Sequence, residues 1–232
     1  MALVRYPLGE QRSGRTGGVV HSHNRGGPYN RAASIPVNPN TPRQSAVRAN
    51  LSNLSNNWFI GLTQDQRDGW DQYAANNPIS NRLGMSIFLT SQNYYIRGNS
   101  PRLQAGLDVV DDAPVTVLDA EVPAFLSATA SAATQIISVS WMGFAYWADV
   151  TGSAMLVSVG RPQGASRKFF GSPFRYNDAV LGDGTTAPTA PAALAVAPWI
   201  LAEGQRIFIK ARISEYDGRL GAWAVYNFLC AA

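Results

Sequence analysis

The segment of residues 41–77, TPRQSAVRANLSNLSNNWFIGLTQDQRDGWDQYAANN, constrains the fold more than any other stretch of the chain. It contains two threonines, Thr41 and Thr63, that are each followed three residues later by a glutamine. A threonine hydroxyl can accept a hydrogen bond from a free N–H of the first helical turn, and the glutamine amide can bond back to the threonine N–H. Pro42 is typical of a first helical position. The pattern predicts two helices, separated near Gly61.

Apolar side chains recur at helical spacing behind both caps, which gives each predicted helix an apolar face. They are Val47, Leu51, Leu54, Trp58, Trp70 and Tyr73. The second helix is expected to end at Asn77-Pro78, and a third is predicted over residues 86–97, ended by residues 98–101. We expect residues 41–105 to form a small helical unit that docks on partners through these six anchors, with its centre formed by Trp58, Trp70 and Phe88.

Residues 1–40 are predicted to form an extended basic arm. Glycine and proline are frequent there, and residues 1–50 hold seven arginines against one acidic residue, Glu10. A free segment of this composition is disordered, but its spaced apolar residues favour a strap that gains main-chain hydrogen bonds on a partner. The run GGVVHSHN at residues 17–24 is typical of one added strand, and a floppy tail is the alternative. The expected partner contacts are Arg5, Tyr6, Arg12, Arg15, Val19, Arg25, Tyr29 and Arg31.

An acidic linker is predicted over residues 106–123, and the apolar pattern changes to a period of two after it. Alternation is clear in Ile137, Val139 and Trp141 and again over residues 204–213, while Asp217-Gly218 is a hairpin-turn signal. Short strands separated by turns predict an antiparallel β-sandwich over residues 124–232. The predicted fold class is therefore α+β: an extended N-terminal arm, a helical unit of two to three helices, and a C-terminal antiparallel β-sandwich. The acidic residues of the linker are Asp108, Asp111, Asp112, Asp119 and Glu121.

Composition narrows the classes of protein to which the chain can belong. Charged residues make up 15% of it, below the roughly 25% of average soluble proteins. The low charge has two explanations that we weigh about equally. Neighbouring molecules cover the surface, or the surface is the Ser/Thr/Asn-rich one of a stable extracellular β-protein. The single cysteine, Cys230, can form no intrachain disulfide. With no apolar run near the ~20 residues of a membrane span and no apolar signal-peptide core, we expect no membrane contact and folding in a reducing cytoplasm.

No constellation of catalytic residues stands out, so we expect neither an enzyme nor a bound metal or cofactor. The two histidines, His21 and His23, lie on the arm without a third ligand nearby, and an arm positions a catalytic group poorly. The linker carboxylates lack the spacing of an EF-hand loop. The glycines of the arm are not followed by the Lys-Ser/Thr pair of a phosphate-binding loop.

The second half of the chain resembles a fibronectin type III-like sandwich. The resemblance is carried by ISVSW at residues 137–141 and by GQRIFIKARISEYDGRLGAW at residues 204–223. It implies that Trp141 packs across the core and that Phe208 or Ile209 fills the matching place on the later strand.

A set of residues runs through the first hundred positions: Ser13-Gly14, Gly17-Gly18-Val19, Asn24-Arg25, Gly27, Tyr29, Pro36, Asn38-Pro39, Thr41-Pro42, Gln44, Val47-Arg48, Leu62-Thr63, Gln66-Arg67, Trp70 and Tyr73-Ala74. With these residues, the first hundred positions are similar to uncharacterised proteins of tailed-phage and prophage gene clusters. The resemblance implies a virion or phage-associated structural protein and assigns no catalytic residue.

These features favour a non-enzymatic virion structural protein, a capsid cement or decoration protein or a tail component, assembled in the host cytoplasm. Its expected partners are other virion proteins and further copies of itself. One alternative is a host-surface or carbohydrate-binding module whose aromatic residues stack on sugars. Another is a nucleic-acid-binding protein that uses the arginine-rich arm. The candidate sugar-stacking residues are Tyr146, Trp147, Trp199 and Trp223.

Overall fold

The computed structural model describes residues 2–3, 12–35, 37–81, 83–115, 120–123, 125–141 and 145–232. The chain divides into two compact units, residues 1–96 (unit 1) and residues 97–232 (unit 2). Helices and antiparallel sheets together give an α+β fold with a β-sandwich, which confirms the predicted fold class.

Unit 1 begins with a four-stranded antiparallel sheet. Its strands are Ala2–Leu3 (β1), Gly14–Thr16 (β2), Val19–Asn24 (β3) and Gly27–Ala32 (β4), in the order β1-β4-β3-β2. The predicted strand in GGVVHSHN is β3, but it pairs with β2 and β4 of the same chain rather than being left for a partner. The reason is the pair of two-residue loops on either side of β3, which bring neighbouring strands together locally.

The rest of unit 1 is largely helical. Its elements are Pro42–Asn56 (α1), a π-helical turn at Asn57–Gly61, Gln64–Asn76 (α2), a short hairpin of Ile79–Ser80 (β5) and Ser86–Ile87 (β6), and the start of Ser91–Gln104 (α3). Both predicted capping boxes are present, and α2 ends before Asn77-Pro78 as expected. The two helix starts were therefore predicted correctly from a four-residue pattern.

The third helix lies further along the chain than predicted. Residues 86–87 pair with β5, and the helix starts at Ser91, where the Thr90 hydroxyl accepts from the Asn93 N–H at 3.2 Å. It then continues through Pro101 to Gln104, although residues 98–101 were predicted to end it. A proline inside a helix lacks a donor, so tertiary contacts made by residues of this last stretch must offset the cost.

Unit 2 contains two antiparallel sheets. The smaller has the order β11-β8-β7 and the larger the order β10-β9-β12-β13. Their strands are Phe125–Ala130 (β7), Ile137–Trp141 (β8), Ala154–Gly160 (β9), Phe174–Leu181 (β10), Ala192–Ala193 (β11), Arg206–Ser214 (β12) and Ala224–Leu229 (β13). A 3₁₀ turn covers Tyr146–Asp149.

The core of unit 2 lies between these sheets. The predicted alternation on β8 is confirmed, because Ile137, Val139 and Trp141 are all buried. Facing them is the inner row of β12, and the predicted turn follows that strand, with Gly218 at φ +87°. Phe208 lies in the opposite row and is also buried, stacked on Phe170 at 5.6 Å between ring centroids. The buried inner row of β12 is Ile207, Ile209, Ala211 and Ile213.

The described part of the acidic linker packs within unit 2. The Asn99 amide donates to the Val110 carbonyl at 2.9 Å and accepts from the Val110 N–H at 2.7 Å. The Glu121 N–H donates to Glu215 Oε1 at 2.9 Å, and Glu121 Oε2 accepts from the Trp147 N–H at 3.2 Å. Asp119 lies outside the described residues.

Candidate functional site

Helix α1 presents the most exposed helical surface of unit 1. It begins at Pro42 because Thr41 Oγ1 accepts from the Gln44 N–H at 3.3 Å and Gln44 Oε1 accepts from the Thr41 N–H at 3.2 Å. From Pro42 to Asn53 its side chains are exposed or half-buried. A helix of about 12 residues is marginal in water without tertiary packing. This part of α1 therefore contains no buried side chain.

The apolar stripe of α1 is covered over only half of its length. Leu54 and Trp58 are buried, 1% and 7% exposed, whereas Val47 and Leu51 are 51% and 48% exposed. All four lie on one helical face by their spacing. The stripe therefore extends about two turns beyond the side chains that bury its other end.

The buried end of the stripe belongs to an aromatic cluster. The Tyr95 ring lies 5.6 Å from Trp58 and 5.7 Å from Trp70 between centroids, and Tyr73 lies 5.8 Å from Trp70. Tyr95 is fully buried, while Phe88, which the sequence placed at the centre, is 53% exposed. Leu54, Trp58 and Trp70 therefore form the core of unit 1 and do not present a surface to a partner. Of the six predicted anchors, Val47 and Leu51 are exposed and Tyr73 is half-buried.

The π-helical turn after α1 adds two exposed apolar residues that sequence reasoning missed. Phe59 and Ile60 are 67% and 86% exposed. The turn is fixed from both sides, because Asn57 Nδ2 donates to Tyr95 Oη at 2.7 Å and Arg67 donates to the Leu62 carbonyl at 2.8 Å. Two large apolar residues just before a glycine were the only sequence signal for this feature.

Charge is distributed oppositely on the first two helices. Helix α1 contains Arg43 and Arg48 and no acidic residue, and a groove of about 340 Å³ lies along it, lined by Thr41, Arg43, Gln44, Val47 and Arg48. Helix α2 contains three aspartates against one arginine, with Asp65 and Asp68 exposed. One helix surface is therefore basic and partly apolar, and the other is acidic.

Four of the predicted contact residues of the arm, Arg15, Val19, Tyr29 and Arg31, lie on strands of its small sheet, while Arg12 precedes β2 and Arg25 lies in the loop between β3 and β4. The side chains of Arg12, Arg15, Arg25 and Arg31 are exposed, Val19 is 40% exposed and Tyr29 is half-buried; Arg5 and Tyr6 lie outside the described residues. The loop between β3 and β4 contacts the β5–β6 region, where Asn81 Nδ2 donates to the Gly26 carbonyl at 3.0 Å. In the described part of the chain, the arm is therefore tied to its own unit at this loop.

Both histidines lie on strand β3. His21 Nδ1 lies 2.7 Å from Asn30 Oδ1 on the neighbouring strand, and His23 is exposed opposite Pro28. Among the described residues no group of three or more His, Cys, Asp or Glu side chains could hold a metal ion. None of the helices in these residues combines the length and the hydropathy that a membrane-spanning segment requires.

Of the four aromatic residues considered for sugar stacking, two have covered rings and two are exposed. Trp147 is buried against Trp141, and the Trp199 ring is covered by the Arg175 guanidinium at 3.8 Å from its centroid. Tyr146 and Trp223 are 63% and 41% exposed.

Comparisons with family models, with curated proteins and with solved structures find no match for this chain. Its function is therefore to be inferred from the surfaces that the described residues present.

Proposed function

We propose that this chain is a non-enzymatic structural component of a virion, a capsid cement or decoration protein or a tail component, that assembles through unit 1. The observation that carries the proposal is the uncovered half of the α1 stripe, where Val47 and Leu51 are about half exposed on a helix with little support of its own. Such a helix gains stability when a partner covers its apolar face. The resemblance of the motifs in the first hundred residues to phage-cluster proteins, which the comparisons with known proteins do not test, supports a virion as the setting.

The occupant of this surface is a neighbouring copy of the same chain. Charge complementarity supports this choice, because the basic stripe of α1 fits the acidic surface of α2, where Asp65 and Asp68 are exposed. A contact of α1 with the α2 of the next copy is head-to-tail. Head-to-tail contacts generate rings or open arrays, which are the arrangements that particle subunits adopt.

The first test removes the apolar stripe. Val47→Asp combined with Leu51→Asp should abolish self-association or binding to purified capsid shells, because both aspartate charges would be desolvated at the contact. Sedimentation velocity would measure the loss. Ala49→Asp is the matched control, since Ala49 is exposed and lies on the opposite side of α1 by helical spacing. If Ala49→Asp is as damaging as the double variant, or if the unmodified chain is a monomer that binds no shells, the proposal is wrong.

The second test exchanges the charges. Arg43→Glu/Arg48→Glu and Asp65→Lys/Asp68→Lys should each fail to associate, because each variant places like charges across the contact. An equal mixture of the two should associate again, since every α1–α2 contact between the unlike variants regains opposite charges. A mixture that stays monomeric while each variant remains folded by circular dichroism argues against copy-to-copy docking. Binding of either variant to shells would instead assign α1 to a different virion protein.

A further inference from the structure

A cluster of cationic side chains lies on the outer face of the larger sheet of unit 2. Lys210 and Arg212 are two residues apart on β12, in the row that alternates with the buried inner row. Both reach the same ring: Lys210 Nζ lies 4.1 Å and Arg212 Cζ 4.4 Å from the Trp223 centroid. Lys210 Nζ is also 5.1 Å from the Phe174 centroid. The cations are therefore held in place by aromatic rings.

The charges that surround these cations within the described residues are themselves cationic. In the described residues neither Lys210 nor Arg212 makes an ion pair or a hydrogen bond to a carboxylate. Burial and the nearby Arg97 lower the pKa of Arg212 to about 10, and burial and Arg212 lower the pKa of Lys210. At neutral pH, below the pKa of Arg212, the guanidinium is charged, and the free-energy penalty for keeping it charged while buried is fully present in the fold.

Two buried donors of this cluster have no partner within the described structure. They are Arg212 Nε and the hydroxyl of Ser214, whose residue is fully buried in the same outward row of β12. Buried polar groups are normally hydrogen-bonded, so each exception calls for an explanation. Arg102, a buried cation of the same unit, shows the usual case, because it donates to three backbone carbonyls, those of Asp108, Gly152 and Glu215.

We propose that Lys210, Arg212 and Ser214 form a binding site for an oxyanion, the phosphate or carboxylate group of a ligand. The guanidinium offers a planar fork of donors that matches such a group, and the ammonium offers a point charge. The rings of Trp223 and Phe174 attract the cations but accept no strong hydrogen bond, so they orient the donors without satisfying them. This site lies in unit 2 and does not depend on the docking proposed for unit 1.

The site predicts an unusual link between binding and stability. Replacing an uncompensated buried cation by a neutral side chain should stabilise the fold and should also abolish oxyanion binding. An anion that binds only the folded chain should raise the melting temperature in the same way. A purely structural cation would behave in the opposite manner, since its removal would lower the melting temperature.

The test uses the full chain and inorganic phosphate at constant ionic strength. Phosphate should raise the melting temperature saturably and give a binding isotherm by calorimetry. Arg212→Met and Lys210→Met should each weaken binding by about tenfold or more, the loss of one charged contact, while Arg212→Met melts higher than the unmodified chain without phosphate. The matched control is Arg206→Met, because Arg206 is on the same strand but donates to Ala165 O at 2.8 Å and Asn227 Oδ1 at 2.7 Å.

Further arms identify the source of the oxyanion. If adenosine monophosphate binds more tightly than phosphate and glucuronate, the ligand is a nucleotide phosphate. If glucuronate binds most tightly, the ligand is an acidic sugar. Trp223→Leu keeps the charges of Lys210 and Arg212. It should lower the affinity for the preferred ligand several-fold, because the donors lose their orientation. The site is refuted if none of the three ligands saturates, if Arg206→Met loses as much affinity as Arg212→Met, or if Arg212→Met melts lower than the unmodified chain.

Discussion

At the scale of single residues, Gly61 shows why the exposed turn has the shape it does. A Cβ on Gly61 would lie 1.8 Å from Asn57 Oδ1. The Asn57 amide cannot move away freely, since it donates to Tyr95 Oη in the aromatic cluster. Glycine is thus required here by the close approach of the Asn57 side chain.

Gly61→Ala should destabilise the chain by roughly 1–3 kcal/mol, through overpacking and loss of the Asn57 hydrogen bond. Urea denaturation monitored by tryptophan fluorescence would measure the change. Gly18→Ala serves as the control, because its Cβ would meet nothing within 4 Å. Equal free energies of unfolding for the two variants would show that the close approach of Asn57 to position 61 does not destabilise the alanine variant.

In unit 2, Arg102 is a single residue whose contacts can be tested in the same way as those of Gly61 in unit 1. It is 3% exposed, and burial lowers its pKa while Asp108 and Asp217 oppose that shift. Arg102→Met should cost about 3 kcal/mol or more, because each buried carbonyl left without a donor costs on the order of 1–3 kcal/mol. Arg102→Lys should recover only part of this loss, since an ammonium cannot reproduce the fork. Full recovery in thermal and urea unfolding would show that charge alone matters.

At the scale of elements, α1 and α2 carry the same cap but differ in support. Each begins with a threonine and a glutamine that form a complete capping box. The body of α2 is fixed by Trp70, which is 1% exposed, whereas the first three turns of α1 contain no buried side chain. The same local signal therefore has different consequences in the two helices.

Thr63→Ala should lower the free energy of unfolding by about 1 kcal/mol, the usual cost of a lost cap. Thr41→Ala should instead leave global unfolding nearly unchanged and fray α1 locally. Hydrogen exchange of the amides of residues 44–50 would detect the fraying, and circular dichroism would show the lost helicity. A global loss as large as that of Thr63→Ala would mean that α1 is supported along its whole length.

At the scale of the whole molecule, the compact units do not follow the boundaries suggested by composition. The division falls inside α3, after Ile96, and the described residues of the acidic stretch pack within unit 2. Gly221 lies so close to Glu121 that an added Cβ would be 2.2 Å from its carbonyl oxygen. The sandwich thus extends N-terminally to include α3 residues and the linker.

A fragment of residues 90–232 should therefore melt well above a fragment of residues 124–232. The shorter fragment lacks the Arg102 donors and leaves the Trp147 N–H without Glu121. Differential scanning calorimetry of both fragments would measure the difference. Equal melting temperatures would show that residues 124–232 are a complete folding unit.

Features that depend on local chemistry and on the period of apolar residues could be predicted from the amino-acid sequence. The capping boxes, the end of α2 and the inward rows of β8 and β12 follow from residues close together in the chain, because hydrogen bonds and alternation act over a few positions. The arrangement of strands as a sandwich was likewise predictable from turns and alternation.

The division of the apolar residues between core and surface depends on long-range packing and could not be predicted from the sequence. Val47 and Leu54 belong to one stripe, yet Leu54 is buried and Val47 exposed because the aromatic cluster around Tyr95 reaches only one end of α1. Helix α3 continues through Pro101 because Asn99 and Arg102 make contacts distant in sequence. The Lys210–Arg212 cluster likewise depends on Trp223 lying beside them, which pairing of β12 with β13 brings about. Such contacts join residues whose separation along the chain carries no periodic signal.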